Sequence, residues 1–289
     1  MRRTDLALEI RESIVGEQEV EGVVLTEEKL EKEKIKISTV KILNEQGSKK
    51  MGRKKGAYIT IEGNLDASKE KMVEVLKKQL KNMLGEKNRI MVVGLGNRNI
   101  TPDALGPWTI DRLDITRHLI QEFGEEFRVK YGLANISAIA PGVMAQTGIE
   151  TKEILQGTIK NVKPDAVIVV DALAARSVHR LNCTIQLTDT GISPGAGVGN
   201  NRKELNEDTL GVTVVAMGVP TVVDAETIVE DRVEECLHKA GCSGKEIGIF
   251  LKNMHQFGVK NMFVTTKEVD EQVREMSEIL SEAINTYQG

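Results

Sequence analysis

Ala166-Val167-Ile168-Val169-Val170-Asp171 decides the fold. Five apolar residues in succession suit a strand buried on both faces, as a central strand of a parallel sheet is. The run closes on a carboxylate, and Ala172-Leu173-Ala174-Ala175-Arg176 then reads as the exit toward a helix, so Asp171 is expected at the C-terminal end of its strand. A second apolar run, Arg89-Ile90-Met91-Val92-Val93-Gly94, leads through Leu95-Gly96-Asn97 to Thr101-Pro102-Asp103-Ala104-Leu105-Gly106-Pro107, which puts Asp103 in a turn beyond its strand. Ligands of open parallel sheets bind at the C-terminal strand edge. Asp103 and Asp171 are therefore candidates to converge on one site and to share a proton, one taking a proton from water while the other donates. Each could instead be an ordinary helix cap.

Around these runs the apolar periodicity alternates between strand and helix. Helices are expected over Ser68–Leu84 with Gly85 as stop, Thr109–Phe123 with Gly124 as stop, Thr151–Val162, Ala225–Cys236 and Thr266–Tyr287. Strands are expected at Asn135–Ala140 and at Thr213–Val219, the latter ending at Pro220. This order predicts an α/β fold, a mostly parallel sheet flanked by helices with right-handed crossovers. Upstream, Lys34–Ile42 and Ala57–Gly63 alternate with period two and form an added N-terminal β-hairpin, within a β-rich stretch over 20–65. The basic stretch between them, with Lys49, Lys50, Arg53, Lys54 and Lys55, reads as a solvated tip, with contact to an acidic substrate as the alternative.

Composition excludes several classes. Of 289 residues 40% are hydrophobic and 28% charged, which is ordinary for a globular chain, while 3% aromatics and a net charge of −4 argue against a nucleic-acid-binding face. No apolar stretch reaches the roughly 20 residues that cross a bilayer, and the N-terminus lacks the apolar core of a signal peptide. Cys183, Cys236 and Cys242 contain no CxxC pair, which points to a reducing compartment, the cytoplasm. The four histidines, His118, His179, His238 and His255, show no paired metal spacing, so no metal and no cofactor are expected.

Three further motifs carry weaker signals. Gly94-Leu95-Gly96 lacks the third glycine of a dinucleotide loop, whose place is taken by Asn99. Gly195, Gly197 and Gly199, followed by Arg202 and Lys203, form a glycine-rich loop that either cradles an anion or only permits a tight backbone path. Asp189-Thr190-Gly191 resembles the active-site loop of pepsin-like proteases, but occurs once and in an α/β setting, so a structural turn with Asp189 bonding its own backbone is expected.

Taken together, Arg3–Glu9, the Gly94–Pro107 block, Val170–Ser177 and Asp189–Asn200 resemble the germination protease family of spore-forming bacteria, over essentially the whole chain. The resemblance implies an atypical aspartic endopeptidase with a core like that of hydrogenase maturation proteases, acting on small acid-soluble spore proteins in the spore core, with Asp103 and Asp171 as its catalytic aspartates. It further implies an inactive zymogen, a homotetramer and self-removal of an N-terminal propeptide. Thr4-Asp5-Leu6-Ala7-Leu8-Glu9 matches the acidic-apolar-Ala-x-Glu pattern cut in the spore proteins, so cleavage is expected between Asp5 and Leu6, with 1–5 as propeptide and 6–289 as one α/β domain. That leader is shorter than the family leads one to expect. Two other readings stand beside this one: a metal-dependent peptidase using the same carboxylates, and a nonenzymatic anion- or peptide-binding module.

Overall fold

A computed structural model describes residues 4–15, 20–63, 67–195, 202–254 and 262–288. Its strands are β1 (Val23–Leu30), β2 (Ile35–Ile42), β3 (Gly56–Gly63), β4 (Arg89–Gly94), β5 (Asn135–Ile139), β6 (Ala166–Ala175), β7 (Thr184–Thr188), β8 (Thr213–Asp224) and β9 (Phe263–Val264). They form one sheet in the order β1-β2-β3-β7-β8-β6-β4-β5, with β9 pairing β8. The strands β5, β4, β6 and β8 run parallel, and β7, β3, β2 and β1 extend the sheet in antiparallel fashion.

The helices used below are α1 (Ala7–Val15), α2 (Glu45–Met51), α3 (Lys69–Leu84), α4 (Leu105–Ile110), α5 (Arg117–Tyr131), α6 (Met144–Thr147), α7 (Thr151–Val162), α8 (Glu207–Leu210), α9 (Ala225–Lys239), α10 (Gly244–Met254) and α11 (Val269–Thr286). Alternate residues of the central strands face opposite helical layers, as the pleat requires. Ile90, Val92, Ile168 and Val170 pack with α3 and α11, whereas Met91, Val93, Val167 and Val169 pack with Leu155 of α7 and Leu210 of α8. The expected α/β/α layering is thus present, and its double apolar burial explains why β6 reads as an unbroken hydrophobic run.

Several local expectations are corrected. The strand carrying Asp171 does not end there: β6 continues to Ala175, because the small apolar residues after Asp171 keep pairing with β8. Likewise β8 passes through Pro220 to Asp224. The β6–β8 register slips between Leu173 and Ala174, opposite Pro220, and such an irregularity is where a strand accommodates a residue without an N–H. The helix expected over Thr109–Phe123 is two helices, α4 and α5, and Gly124 is a kink inside α5 (φ 82°, ψ 175°) rather than a stop. The hairpin pair β2–β3 is present with β1 before it, but the basic connection is helical: Asn44 caps α2 by accepting from Gly47 N, and Gly52 ends it at φ 60°.

Candidate functional site

Beyond the end of β4 the chain turns back on itself, and glycines permit it. A Cβ on Gly96 (φ +109°) would lie 1.9 Å from the carbonyl oxygen of Asp103, and one on Gly94 would lie 2.4 Å from that of Gly106. Gly94 and Gly96, noticed in the sequence as a failed dinucleotide loop, are therefore what brings Asp103 against the strand end. The turn is fixed by Asn97 N donating to Asp103 Oδ2 at 2.7 Å and by Thr221 Oγ1 donating to the Pro102 carbonyl at 2.6 Å. Gly96→Ala is expected to displace this turn and cost about 1–3 kcal/mol, the usual range for a side chain forced into such a backbone conformation. Urea unfolding of the variant measures it, and an unchanged midpoint would contradict this account of Gly96.

Asp171 stands in the middle of β6, opposite Gly218 of β8, and is buried. Its Oδ1 accepts from Ala172 N at 3.0 Å. A Cβ on Gly218 would meet the Asp171 carbonyl at 2.7 Å, so the sheet leaves no spare room there. Asp103 and Asp171 line one cavity of about 560 Å³, together with Asp5, Asn97, Gly195, Arg202 and Thr221. A neighbouring hollow of about 340 Å³, on the antiparallel side of the sheet, is lined by Asp5, Arg53, Tyr58, Asp171, Gln186 and Gly195. Asp5, Asp171 and Gly195 belong to both.

The two carboxylates are electrostatically unequal. Burial holds Asp171 well above the usual carboxylate range, and the charges of Asp103 and Asp5 push it the same way against the single Ala172 amide. Burial also raises Asp103, but the Asn97 amide and the Arg202 charge oppose it. A proton available to the pair consequently resides on Asp171, leaving Asp103 as the ionised member.

Asp5 reaches the site as part of an N-terminal segment threaded through it. Asp5 N donates to the Ala174 carbonyl at 2.8 Å, and Ala174 N donates to Asp5 Oδ2 at 2.9 Å. Gln186 of β7 brackets the Asp5–Leu6 peptide bond: its Nε2 donates to the Asp5 carbonyl at 3.1 Å, and its Oε1 accepts from Ala7 N at 2.8 Å. Leu6 is fully buried against Leu173, Ala175, Leu181 and Val223, while Ala7 and Leu8 join the core formed with Val40, Met51 and Tyr58. Arg53 Nη2 donates to the Thr4 carbonyl at 3.0 Å and lies 4.0 Å from Asp5 Oδ1. Sequence reasoning named Asp5 and Leu6 but missed Gln186, which carries no local signal, and did not separate Arg53 from its basic neighbours. Of these, Lys54 pairs with Glu204, Lys55 with Glu45 and Lys50 with Glu21.

The remaining motifs fall into place around the cleft. Gly195 lines it, whereas Gly197 and Gly199 lie outside the described residues. Asp189 is structural, but its Oδ1 accepts from Ala57 N of β3 at 2.8 Å instead of from its own turn. Among the described residues, no three His, Cys, Asp or Glu side chains are grouped to hold a metal ion, and no helix is long and apolar enough to cross a membrane.

A model of the germination protease family matches residues 3–260. The chain belongs to that family. It is 43% identical to the germination protease of Caldanaerobacter subterraneus over 98% of this chain and 93% of that one. The germination proteases of Clostridium perfringens (strain ATCC 13124) and Priestia megaterium are 41% and 46% identical, covering 98% and 85% of this chain and 94% and 70% of theirs. The family makes the chain a peptidase. Among solved structures, a NiFe hydrogenase maturation protease from Thermococcus kodakarensis aligns with 71% of this chain and 98% of its own, at 16% identity and a TM-score of 0.37. The fold assignment rests on the sheet order and layering given above.

Proposed function

We propose that this member of the germination protease family is an endopeptidase that degrades small acid-soluble spore proteins during germination, and that it is made as a zymogen which cuts its own Asp5–Leu6 bond. The observation that carries the reading is the placement of that bond: Asp5 lies in the cleft with Asp103 and Asp171, and Gln186 grips the peptide on both sides of it. Asp103, the ionised carboxylate, takes a proton from the attacking water. Asp171 supplies its proton to the peptide, and Gln186 Nε2 meets the charge developing on the carbonyl oxygen. A segment that plugs the cleft before cleavage also explains how a short leader silences the enzyme, since Asp5 fills the part of the cleft beside Asp103 and Asp171 that a substrate would need and the cut frees it to leave. The working assembly is a homotetramer in the cytoplasm of the spore core, a statement that light scattering checks directly.

The test is to incubate the purified full chain with a small acid-soluble spore protein, with and without exhaustive chelation, beside the Asp171→Asn variant. The expected result is substrate cleavage by the parent protein alone, insensitive to chelation, with a new N-terminus at Leu6. Activity that vanishes on chelation and returns with added metal would replace the aspartate-pair mechanism by a metal-dependent one. A mature start other than Leu6 would reject the processing site.

A further inference from the structure

A row of polar side chains crosses the sheet from its solvent edge to the cleft. In register, Glu27 of β1 pairs with Ser38 of β2, Ser38 with Thr60 of β3, Thr60 with Gln186 of β7, Gln186 with Gly218 of β8 and Gly218 with Asp171 of β6. Residues paired across a sheet share one face. The other face of these strands carries Ile37, Ile59, Ile61, Ile185 and Leu187 into the core with α3 and α11. Ser38 and Thr60 are completely buried and Gln186 nearly so. On the same face Val40 and Tyr58 pack against Ala7 and Leu8 of α1, so apolar residues would suit these positions equally well. Thr60 Oγ1 nevertheless has no hydrogen-bond partner among the described residues, a costly state for a buried hydroxyl.

The row has a direction. At its outer end Ser38 Oγ donates to Glu27 Oε1 at 3.2 Å, and Lys36 holds that carboxylate at 2.6 Å. A carboxylate only accepts, so the Ser38 proton is committed outward and its lone pairs are left for Thr60. A Thr60 proton given to Ser38 leaves the Thr60 lone pairs for Gln186, and of the two ends of that amide only Nε2 can donate. Nε2 carries two hydrogens, and among the described residues only the Asp5 carbonyl takes one. Directly paired side chains stand about 5 Å apart at Cβ, within reach of a hydroxyl and an amide. We propose that Thr60 is a positioning residue for Gln186: its hydroxyl takes the Nε2 hydrogen that is not aimed at the scissile carbonyl, and keeps the donor end of the amide in the cleft once Asp5 has been cut away. Before the cut, Asp5 and Ala7 hold the amide from the cleft side. After it, the Asp5 carbonyl is gone, and Thr60 is the group that stops Nε2 from turning out of place between one substrate and the next. The inference rests on the proposed endopeptidase function and on the part Gln186 has in it.

The experiment is a double-mutant cycle on the full chain, each protein isolated after its own processing is complete and assayed on a synthetic peptide carrying Thr-Asp-Leu-Ala-Leu-Glu. Thr60→Val keeps the shape and removes the hydroxyl. It is expected to lower kcat roughly 3- to 10-fold, the worth of one neutral hydrogen bond, with KM little changed. Thr60→Ser, which keeps the hydroxyl, should restore most of the loss. Self-cleavage by Thr60→Val should run at the parental rate, because Asp5 still holds Nε2 during that cut. In a Gln186→Leu background Thr60→Val should cost nothing further, since the hydroxyl then has no amide to hold. Should the valine variant not fold, Thr60→Ala takes its place in the same cycle. A kcat unchanged by Thr60→Val, with stability raised, would show that the hydroxyl is only an unsatisfied filler; an equal loss with and without Gln186 would show that it does not act through the amide. Either result overturns the assignment and leaves the endopeptidase standing. A folded parent that cuts neither the peptide nor its own bond overturns both.

Discussion

Asp171→Asn is expected to lower kcat by roughly 10²- to 10⁴-fold, the usual worth of a proton-transferring group, while making the protein more heat-stable. The second half follows from the sign of the titration. Asp171 holds its proton above the ordinary carboxylate range in the fold because it is buried and faces the charges of Asp103 and Asp5. The unfolded chain therefore ionises first as pH rises through the ordinary aspartate range, and stability is lost until the folded carboxyl ionises as well. Asparagine has no such loss, so the variant should gain about 2–6 °C in Tm at neutral pH and keep little of that gain below the ordinary aspartate range. Calorimetry across pH checks it; a variant destabilised at neutral pH would mean that Asp171 is not held as a buried acid. The same inequality predicts a bell-shaped profile for the parent enzyme, with its acid limb set by protonation of Asp103 and its alkaline limb by loss of the Asp171 proton. Because burial raises both groups, both limbs should lie above the ordinary aspartate range.

Gln186→Leu is expected to lower kcat by roughly 10²- to 10³-fold, the cost of removing one donor to a developing oxyanion. Leucine keeps most of the volume between the antiparallel strands but removes both the donor to the Asp5 carbonyl and the acceptor for Ala7 N. The chemical step should suffer more than binding, because the Nε2 bond strengthens as the carbonyl oxygen gains charge. Gln186→Glu sharpens the test: the acceptor for Ala7 N survives, the donor is lost and a charge is added beside Asp171, so it should be no better than leucine. A rise in KM with kcat unchanged in either variant would reduce Gln186 to a binding contact.

Much of this site was legible because it lies on elements with strong periodicity. The apolar runs of β4 and β6 and the helical stripes of α3, α7 and α11 specify a parallel core, and a parallel core specifies where Asp103 and Asp171 meet. The sequence nonetheless suggests too short a strand at Asp171, since Ala172–Ala175 are good helix formers and only pairing with β8 keeps them extended. Pro220 misled for the complementary reason: a register slip absorbs its missing N–H. Gln186 and Arg53 were out of reach by sequence alone. They arrive beside Asp5 through the β3–β7 antiparallel pairing, a contact between segments more than a hundred residues apart that leaves no trace in local spacing. Asp5 is legible only through its resemblance to a cleaved motif, and its placement beside Asp171 has no signal of its own.

β4 ends its pairing with β6 at Gly94 and Val170, while β6 runs on to Ala175. From Ala172 onward, the side of β6 that faced β4 has no partner strand among the described residues, and two aspartates cover it: Asp171 accepts from Ala172 N and Asp5 from Ala174 N, while Asp5 N donates to the Ala174 carbonyl. Open edges recruit any extended chain through main-chain bonds, whatever its side chains. The proposed cut after Asp5 would take one of those guards away and leave an edge that an incoming polypeptide could complete. Under the proposed function, affinity would then come from the backbone and only the choice of cutting point from side chains.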